Sequence, residues 1–222
     1  MATRTPRPPR RRGRPPAAKS GEQRQRLLDA ALDLFGERGI AATPLNAIAR
    51  RAHVTPALLH YYFDSRDALI GAVVQERLQP LVERVAGTLG EIDSADPREA
   101  LRRLAAGILA TVSATPWLPP LWVREILAEE GLLREHLLAR IAPGIALRLR
   151  ELVQRGQAAG LLNPGLDPRL LLVSLVGLTI FALAAAPVWR RLPDSADIDT
   201  ETLSRHVLAL LGSGLEPPHA SN

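Results

Sequence analysis

Residues 43 to 66, TPLNAIARRAHVTPALLHYYFDSR, limit the possible folds of this chain more than any other stretch. Thr43 can cap a first short helix, with Pro44 in its first turn, where a missing N–H costs nothing. Leu45, Ile48, Ala49 and Ala52 then recur at three- and four-residue spacing, the period of one helical face. Ala49 is small enough to let a second helix cross closely. His53 falls at the turn, where positive φ is common and His is among the few non-glycine residues that tolerate it. Val54 packs under that turn, Thr55 caps the second helix and Pro56 takes its first position. Two short helices about a tight turn are the layout of a helix-turn-helix, whose second helix enters the DNA major groove. Residues 43 to 59 alone fit an ordinary helical hairpin about equally well, because short motifs recur by chance.

The continuation breaks that tie. Leu58-Leu59-His60-Tyr61-Tyr62-Phe63-Asp64-Ser65-Arg66-Asp67-Ala68-Leu69 resembles the signature of TetR-type transcriptional repressors, an apolar-aromatic run ending in Phe before a capped fourth helix. The resemblance extends back through Gln23 to Arg38, with Leu27, Leu28, Ala31, Leu34 and Phe35 on one face and Gly39 at its end. It covers residues 20 to 72 strongly; beyond them it rests on helical pattern and size. His53 stands where the family usually has Gly, and His60 where it more often has Tyr. The resemblance implies an all-α fold, a three-helix DNA-binding domain followed by a larger helical domain for ligand binding and dimerisation. It also implies a homodimeric repressor that binds a palindromic double-stranded operator and is released by a small-molecule effector. Carried over residue by residue, Asn46 is a candidate base or phosphate contact, and Thr55, Pro56, Ala57 and Leu58 open the recognition helix toward the groove. Pro56, Ala57 and Leu58 offer apolar contact alone, for example to thymine methyl groups. Thr43, His60, Tyr61 and Arg66 are the better phosphate partners, which position a protein without reading sequence.

Charge is distributed unevenly. Arg4, Arg7, Arg10, Arg11, Arg12, Arg14 and Lys19 fall within residues 1 to 19, which hold no acid, whereas the other 21 basic residues are outnumbered by 23 acidic ones. Five prolines deny residues 1 to 19 a buried face, so they are expected to form a disordered basic arm. The arm lacks the apolar segment of a secretory signal. Within it Arg12-Gly13-Arg14-Pro15 resembles an AT-hook core. Its glycine would let the backbone approach a narrow minor groove while Arg12 and Arg14 enter the groove's negative potential. Plain phosphate binding by the arm is the simpler alternative. An architectural protein that coats A·T-rich DNA is the rival function.

With no cysteine, disulfides, thiolate metal sites and cysteine nucleophiles are excluded. His53, His60, His136, His206 and His219 show no metal-ligand spacing, and neither a phosphate loop nor a Gly-x-Ser-x-Gly elbow occurs. No enzyme activity, metal or cofactor is expected.

From Ser65 onward the pattern is helix after helix, which the length and a 46 % hydrophobic content can pack into a sizeable core. Asp64 or Ser65 should cap a long helix that Pro80 kinks. Asp96-Pro97-Arg98-Glu99 predicts a helix running to about Ser113. Further helices are expected over 121–130, 132–141 and 145–159, after Asp167-Pro168, and over 201–211. The expected organisation is a DNA-binding domain over 20–66, an effector and dimerisation domain over 67–215 and a disordered tail over 216–222. Leu170 to Val188 is uncharged and long enough for a membrane span, yet an all-apolar helix can equally be buried in a core or interface. The second reading is preferred, with dimerisation through 167–186 and 201–211, no membrane and a cytoplasmic, nucleoid-associated location. For the effector pocket the candidates are Trp117, Trp122 and Phe181, with Arg124, Glu125 and His136 as orienting polar groups, although such aromatics more often fill a core.

Overall fold

Leu27, Leu28, Ala31, Leu34 and Phe35 line one face of α1 (Ala17–Arg38), and that buried face is the base on which the amino-terminal helices pack. The structure is a computed structural model and describes residues 17–90, 96–140 and 142–217. α1 starts at Ala17 rather than Gln23, so residues 17 to 19 are helical and do not belong to a disordered arm. Arg12 and Arg14 lie outside the described residues. α1 stops at Gly39, whose φ of +83° closes the helix as its N–H donates to the Phe35 carbonyl at 2.9 Å.

α2 (Leu45–Arg51) and α3 (Pro56–Tyr62) follow, with Ile48, Ala49 and Leu59 buried where they meet α1 and each other. His53 holds φ +54° at the turn, and Val54 N–H donates to the Ala49 carbonyl beneath it at 3.0 Å. Thr55 Oγ1 accepts from Leu58 N–H at 3.3 Å, and Ser65 Oγ from Ala68 N–H at 3.1 Å to start α4 (Arg66–Val73). The expected cap at Thr43 is not made. Pro44 occupies the N-cap position of α2 without a side-chain bond, and the Thr43 hydroxyl points inward.

α4 runs through a π-helical turn (Val74–Leu78) into α5 (Gln79–Gly90). The wide turn has a local cause. Pro80 has no N–H to give the Glu76 carbonyl, and its ring would press on that oxygen in a regular helix. The Arg77 guanidinium donates to the Glu76 carbonyl instead, at 3.3 Å.

α6 (Pro97–Ser113), capped by Asp96 through Arg98 N–H at 2.9 Å, is the central helix of the body. Ala100, Leu101, Leu104, Ala105, Ile108, Leu109 and Val112 are buried on it against α5, α9, α13 and a later π-turn. α7 (Leu118–Trp122) passes into a second π-turn (Val123–Leu127) and returns to α1. α8 (Arg134–Arg140) packs on α9 (Ala142–Ala158), and α10 (Leu171–Val176) leads through a third π-turn (Gly177–Phe181) into α11 (Ala182–Ala184) and α12 (Ala186–Trp189). α13 (Thr200–Leu215), capped by Asp199 through Thr202 N–H at 2.8 Å, lies along α6. One continuous apolar core joins α1 to α13, and the fold is all-α, with no strand among the described residues.

The apolar stretch from 170 to 188 is thus one apolar helix, Leu171–Ala184, continuous through the π-turn, and then the short α12 beyond a turn at Ala185. Among the described residues no single helix is long and apolar enough to cross a membrane. α6 and Leu118–Leu127 together have that composition but are bent by 102°, and both contribute heavily to the core.

Candidate nucleic-acid interface

The corner between α1 and α2, residues 39 to 43, fixes where the two reading helices stand. Its polar groups are claimed from three sides. Thr43 Oγ1 donates to the Gly39 carbonyl at 2.6 Å, and Thr43 N–H to the Ile40 carbonyl at 3.1 Å. The Arg66 guanidinium, at the start of α4, donates to the carbonyls of Ile40 at 3.0 Å and Thr43 at 2.5 Å, and more weakly to that of Ala41. Ile40 N–H donates to Glu125 Oε1 at 2.7 Å, across from the body.

Three sequence expectations are corrected here. Thr43 is 1 % exposed with its hydroxyl donated inward, so it is not placed to meet a phosphate. Arg66 is occupied as a clamp on backbone carbonyls. Glu125 is 4 % exposed and spends both carboxylate oxygens on backbone N–H groups, those of Ile40 and Leu132, so it does not orient a ligand.

The other candidates fall on one rigid unit. Asn46, Thr55, Pro56, Ala57, His60 and Tyr61 are exposed, Leu58 is half-buried, and Tyr61 is 69 % exposed at the end of α3. Leu59 and Phe63 point the other way, into the core. Tyr62, next to Tyr61 in an edge-on ring contact at 5.2 Å, turns back instead. Its hydroxyl lies 2.8 Å from Ser20 Oγ and donates to the Ser20 carbonyl at 2.9 Å. The base of α1 is therefore tied to the end of the recognition helix.

α1 also fastens the reading unit to the body. Arg24 stacks over Phe63 at 5.1 Å and pairs with Glu76 in the first π-turn at 2.5 Å, while Arg77 grips Asp29 at 2.8 Å. The hydrogen bond from Arg24 holds the Glu76 carboxyl below its usual range, partly opposed by burial. Further along, Gly36 lets the Trp117 backbone approach so closely that a Cβ there would sit 3.2 Å from its carbonyl oxygen.

These contacts place Trp117 against α1. The other pocket candidates do not converge either: Arg124 is exposed, His136 is half-buried on α8, and Phe181 is 53 % exposed on the outer surface. The Trp122 indole N–H is buried and has no hydrogen-bond partner. An open cleft of about 460 Å³ lies elsewhere, between α9 and the 164–169 loop. There Arg169 is held by Asp167, whose carboxyl is drawn down to about 2 by that side chain and by Arg169 N–H. No metal-holding cluster occurs among the described residues. Sequence reasoning missed Gly36, Tyr62 and the corner. Glycine and positive φ mark the corner locally, but the partners that hold it are distant in sequence.

Comparison with known proteins agrees with this geometry. Residues 27–73 match the family model "Bacterial regulatory proteins, tetR family", and residues 97–211 match "Tetracyclin repressor-like, C-terminal domain". The HTH-type transcriptional regulator BetI of Brucella anthropi is 37 % identical over 93 residues, 42 % of this chain and 45 % of that protein. The aligned region thus spans less than half the length of that curated relative. In fold the chain is similar to the transcriptional regulator FadR from Bacillus subtilis, solved with stearoyl-CoA, at a TM-score of 0.66 and 22 % identity, covering 86 % of this chain and 99 % of that one. It is similar also to the ketosteroid transcriptional regulator KstR2 of Mycobacterium tuberculosis, at a TM-score of 0.70 and 19 % identity, over 87 % and 95 % of the two chains. The family and these relatives are transcriptional regulators, not enzymes. With one model matching the three-helix reading unit and the other matching the helical body, this chain belongs to the TetR family of bacterial regulatory proteins.

Proposed function

We propose that the chain is a ligand-responsive transcriptional regulator, a repressor that binds a palindromic operator as a homodimer in the cytoplasm and is released by a small molecule. The observation that carries this reading is α3 itself. It is a capped helix with Thr55, Pro56, Ala57, His60 and Tyr61 exposed, held on a fully buried base by Leu59 and Phe63. Such a helix is built to enter a major groove and to keep its orientation there.

Dimerisation is supported by an exposed apolar row, Leu170, Val173, Phe181 and Val188, with the small Gly177 between them and Leu210 exposed on α13. Exposed apolar patches of this kind mark interaction surfaces. An effector would sit nearest Trp122, whose buried N–H lacks an acceptor that a ligand could supply. A buried donor left unmet costs about 1–3 kcal/mol, which a bound acceptor would recover. The stearoyl-CoA held by FadR is a precedent in a protein of the same fold. The family models and relatives do not favour the alternative, an architectural role resting on the basic arm.

Selection of bound sites from random DNA tests the proposal. An inverted repeat with half-sites about 34–36 Å apart, or a multiple of that, is the expected result. Bulk A·T-rich enrichment without symmetry would favour the architectural role and overturn this one.

A further inference from the structure

Glu125 lies in the body, on the π-turn Val123–Leu127, yet its carboxylate reaches 85 positions back along the chain to Ile40. Ile40 N–H is the donor that α1 leaves over. Gly39 N–H takes the Phe35 carbonyl in the last closing bond of the helix, and the next amide has no helical acceptor. Glu125 Oε1 accepts it at 2.7 Å in a buried setting. A Cβ on Gly39 would meet the same oxygen at 3.1 Å, so the corner is shaped around the carboxylate.

The other oxygen faces the body. Oε2 accepts Leu132 N–H at 3.2 Å, and the Glu125 carbonyl accepts Leu133 N–H at 3.2 Å. The loop from 128 to 133 therefore lies directly on Glu125. At Gly131 a Cβ would fall inside the Glu125 backbone. Arg134 then fastens the same loop by donating to the carbonyls of Ile126, Leu127 and Ala128.

We infer that Glu125 is a positioning residue that couples the 128–134 loop of the body to the corner from which α2 and α3 are hung. One carboxylate group holds a DNA-side amide with one oxygen and a body-side amide with the other. A displacement of the loop or of α8 moves Glu125, and Glu125 moves Ile40. Arg66 holds the opposite side of the corner through its carbonyls, so the shift is passed to α2 and α4 together. Hydrogen bonds from backbone amides to one carboxylate, buried at Ile40 and part-buried at Leu132, make this a stiff link. The DNA-binding arm of the test below rests on the reading under Proposed function.

The test is a cycle of Gly131→Ala, Glu125→Gln and the double variant. The readouts are hydrogen exchange at the Ile40 amide and affinity for a DNA duplex carrying the selected inverted repeat. An added methyl at Gly131 forces the loop off Glu125. In the wild-type background it should speed Ile40 exchange and weaken duplex binding by a factor in the range of about 5–150, typical of coupling between sites. Gln keeps one acceptor but turns its N–H₂ toward the second backbone N–H, so one of the two bonds is lost. Adding Gly131→Ala to Glu125→Gln should then change neither readout by more than about twofold, the coupling having already been removed. Unchanged Ile40 exchange in Gly131→Ala, or a Gly131→Ala effect that persists in full beside Glu125→Gln, overturns the inference. Should Glu125→Gln fail to fold, Arg134→Ala tests the same line from the far side of the loop, and unchanged Ile40 exchange there overturns it as well. A protein that selects no DNA at all sinks the proposed function, while the exchange measurements still decide the role of Glu125.

Discussion

Arg66 illustrates how a basic residue beside a recognition helix can serve the protein rather than the DNA. Removing its side chain leaves the carbonyls of Ile40 and Thr43 without their donor, and Arg66→Ala should lower stability by about 1–3 kcal/mol. Operator affinity should fall with it, through a misplaced α2. The slope of log affinity against log salt should stay as in the wild type, whereas a lost phosphate contact would reduce it by about 1. Tyr61 is the contrasting case. It is exposed and, apart from the edge-on ring contact with Tyr62, makes no bond to the fold among those described, so Tyr61→Ala should leave circular dichroism unchanged and lower melting only slightly. Duplex affinity should drop roughly 5- to 150-fold, the equivalent of about 1–3 kcal/mol for one lost contact. The sequence shows that both side chains can hydrogen-bond. Periodicity gives the direction, since Tyr62 lies three residues from the buried Leu59 and Tyr61 faces away, but not the partner: the hydrogen bonds that tie the Tyr62 hydroxyl to Ser20 span 42 positions.

At the scale of elements, the helix starts at Thr55, Ser65 and Asp96 were legible, whereas those at Ala17 and Asp199, the missing cap at Thr43 and the irregular turns were not. Thr55, Ser65 and Asp96 each cap a helix through a bond spanning two or three residues, a local event that sequence can disclose, and Asp199 does the same for α13. The π-turns Val123–Leu127 and Gly177–Phe181, inside otherwise continuous helices, were not read from the sequence, although within the second Thr179 Oγ1 donates to the Leu175 carbonyl at 2.6 Å. At Val74–Leu78 the cause, Pro80, is legible, but where a kink was expected at Pro80 the chain instead widens just before it. That turn presents Glu76 to Arg24, and the pairing has a pH dependence of definite sign. The folded Glu76 carboxyl titrates below its ordinary value of 4.5, so its stabilisation is present above that value and is lost as pH falls through the depressed one. Both side chains are about a third exposed, which limits the gain to less than about 1 kcal/mol. Wild type should therefore be slightly more stable than Glu76→Gln at pH 7, with the gap in melting temperature closing as pH falls below 4.5.

For the whole molecule, the exposed apolar row offers the first prediction. Val173→Glu with Phe181→Glu should yield monomers by sedimentation with helical content unchanged, because both side chains project outward, and should abolish binding to a two-half-site duplex. The basic arm offers the second. Deleting residues 1–16 removes six arginines while leaving α1 intact. At about −0.9 per phosphate contact, the salt slope should become shallower by up to ~5, and an unchanged slope would remove the arm from the complex. Its attachment point then sets a limit on the footprint. Ser20 is pinned by Tyr62 at the end of the recognition helix, and Arg4 lies sixteen residues before it. Residues 17 to 20 are helical and add only ~1.5 Å each, so this segment spans at most ~51 Å and the Arg4 backbone cannot pass ~15 base pairs from the seated helix. Each half-site thus acquires a flank of bounded width. Sequence changes inside that flank can alter affinity through the six arginines from Arg4 to Arg14, whereas base pairs beyond it are out of reach of all six.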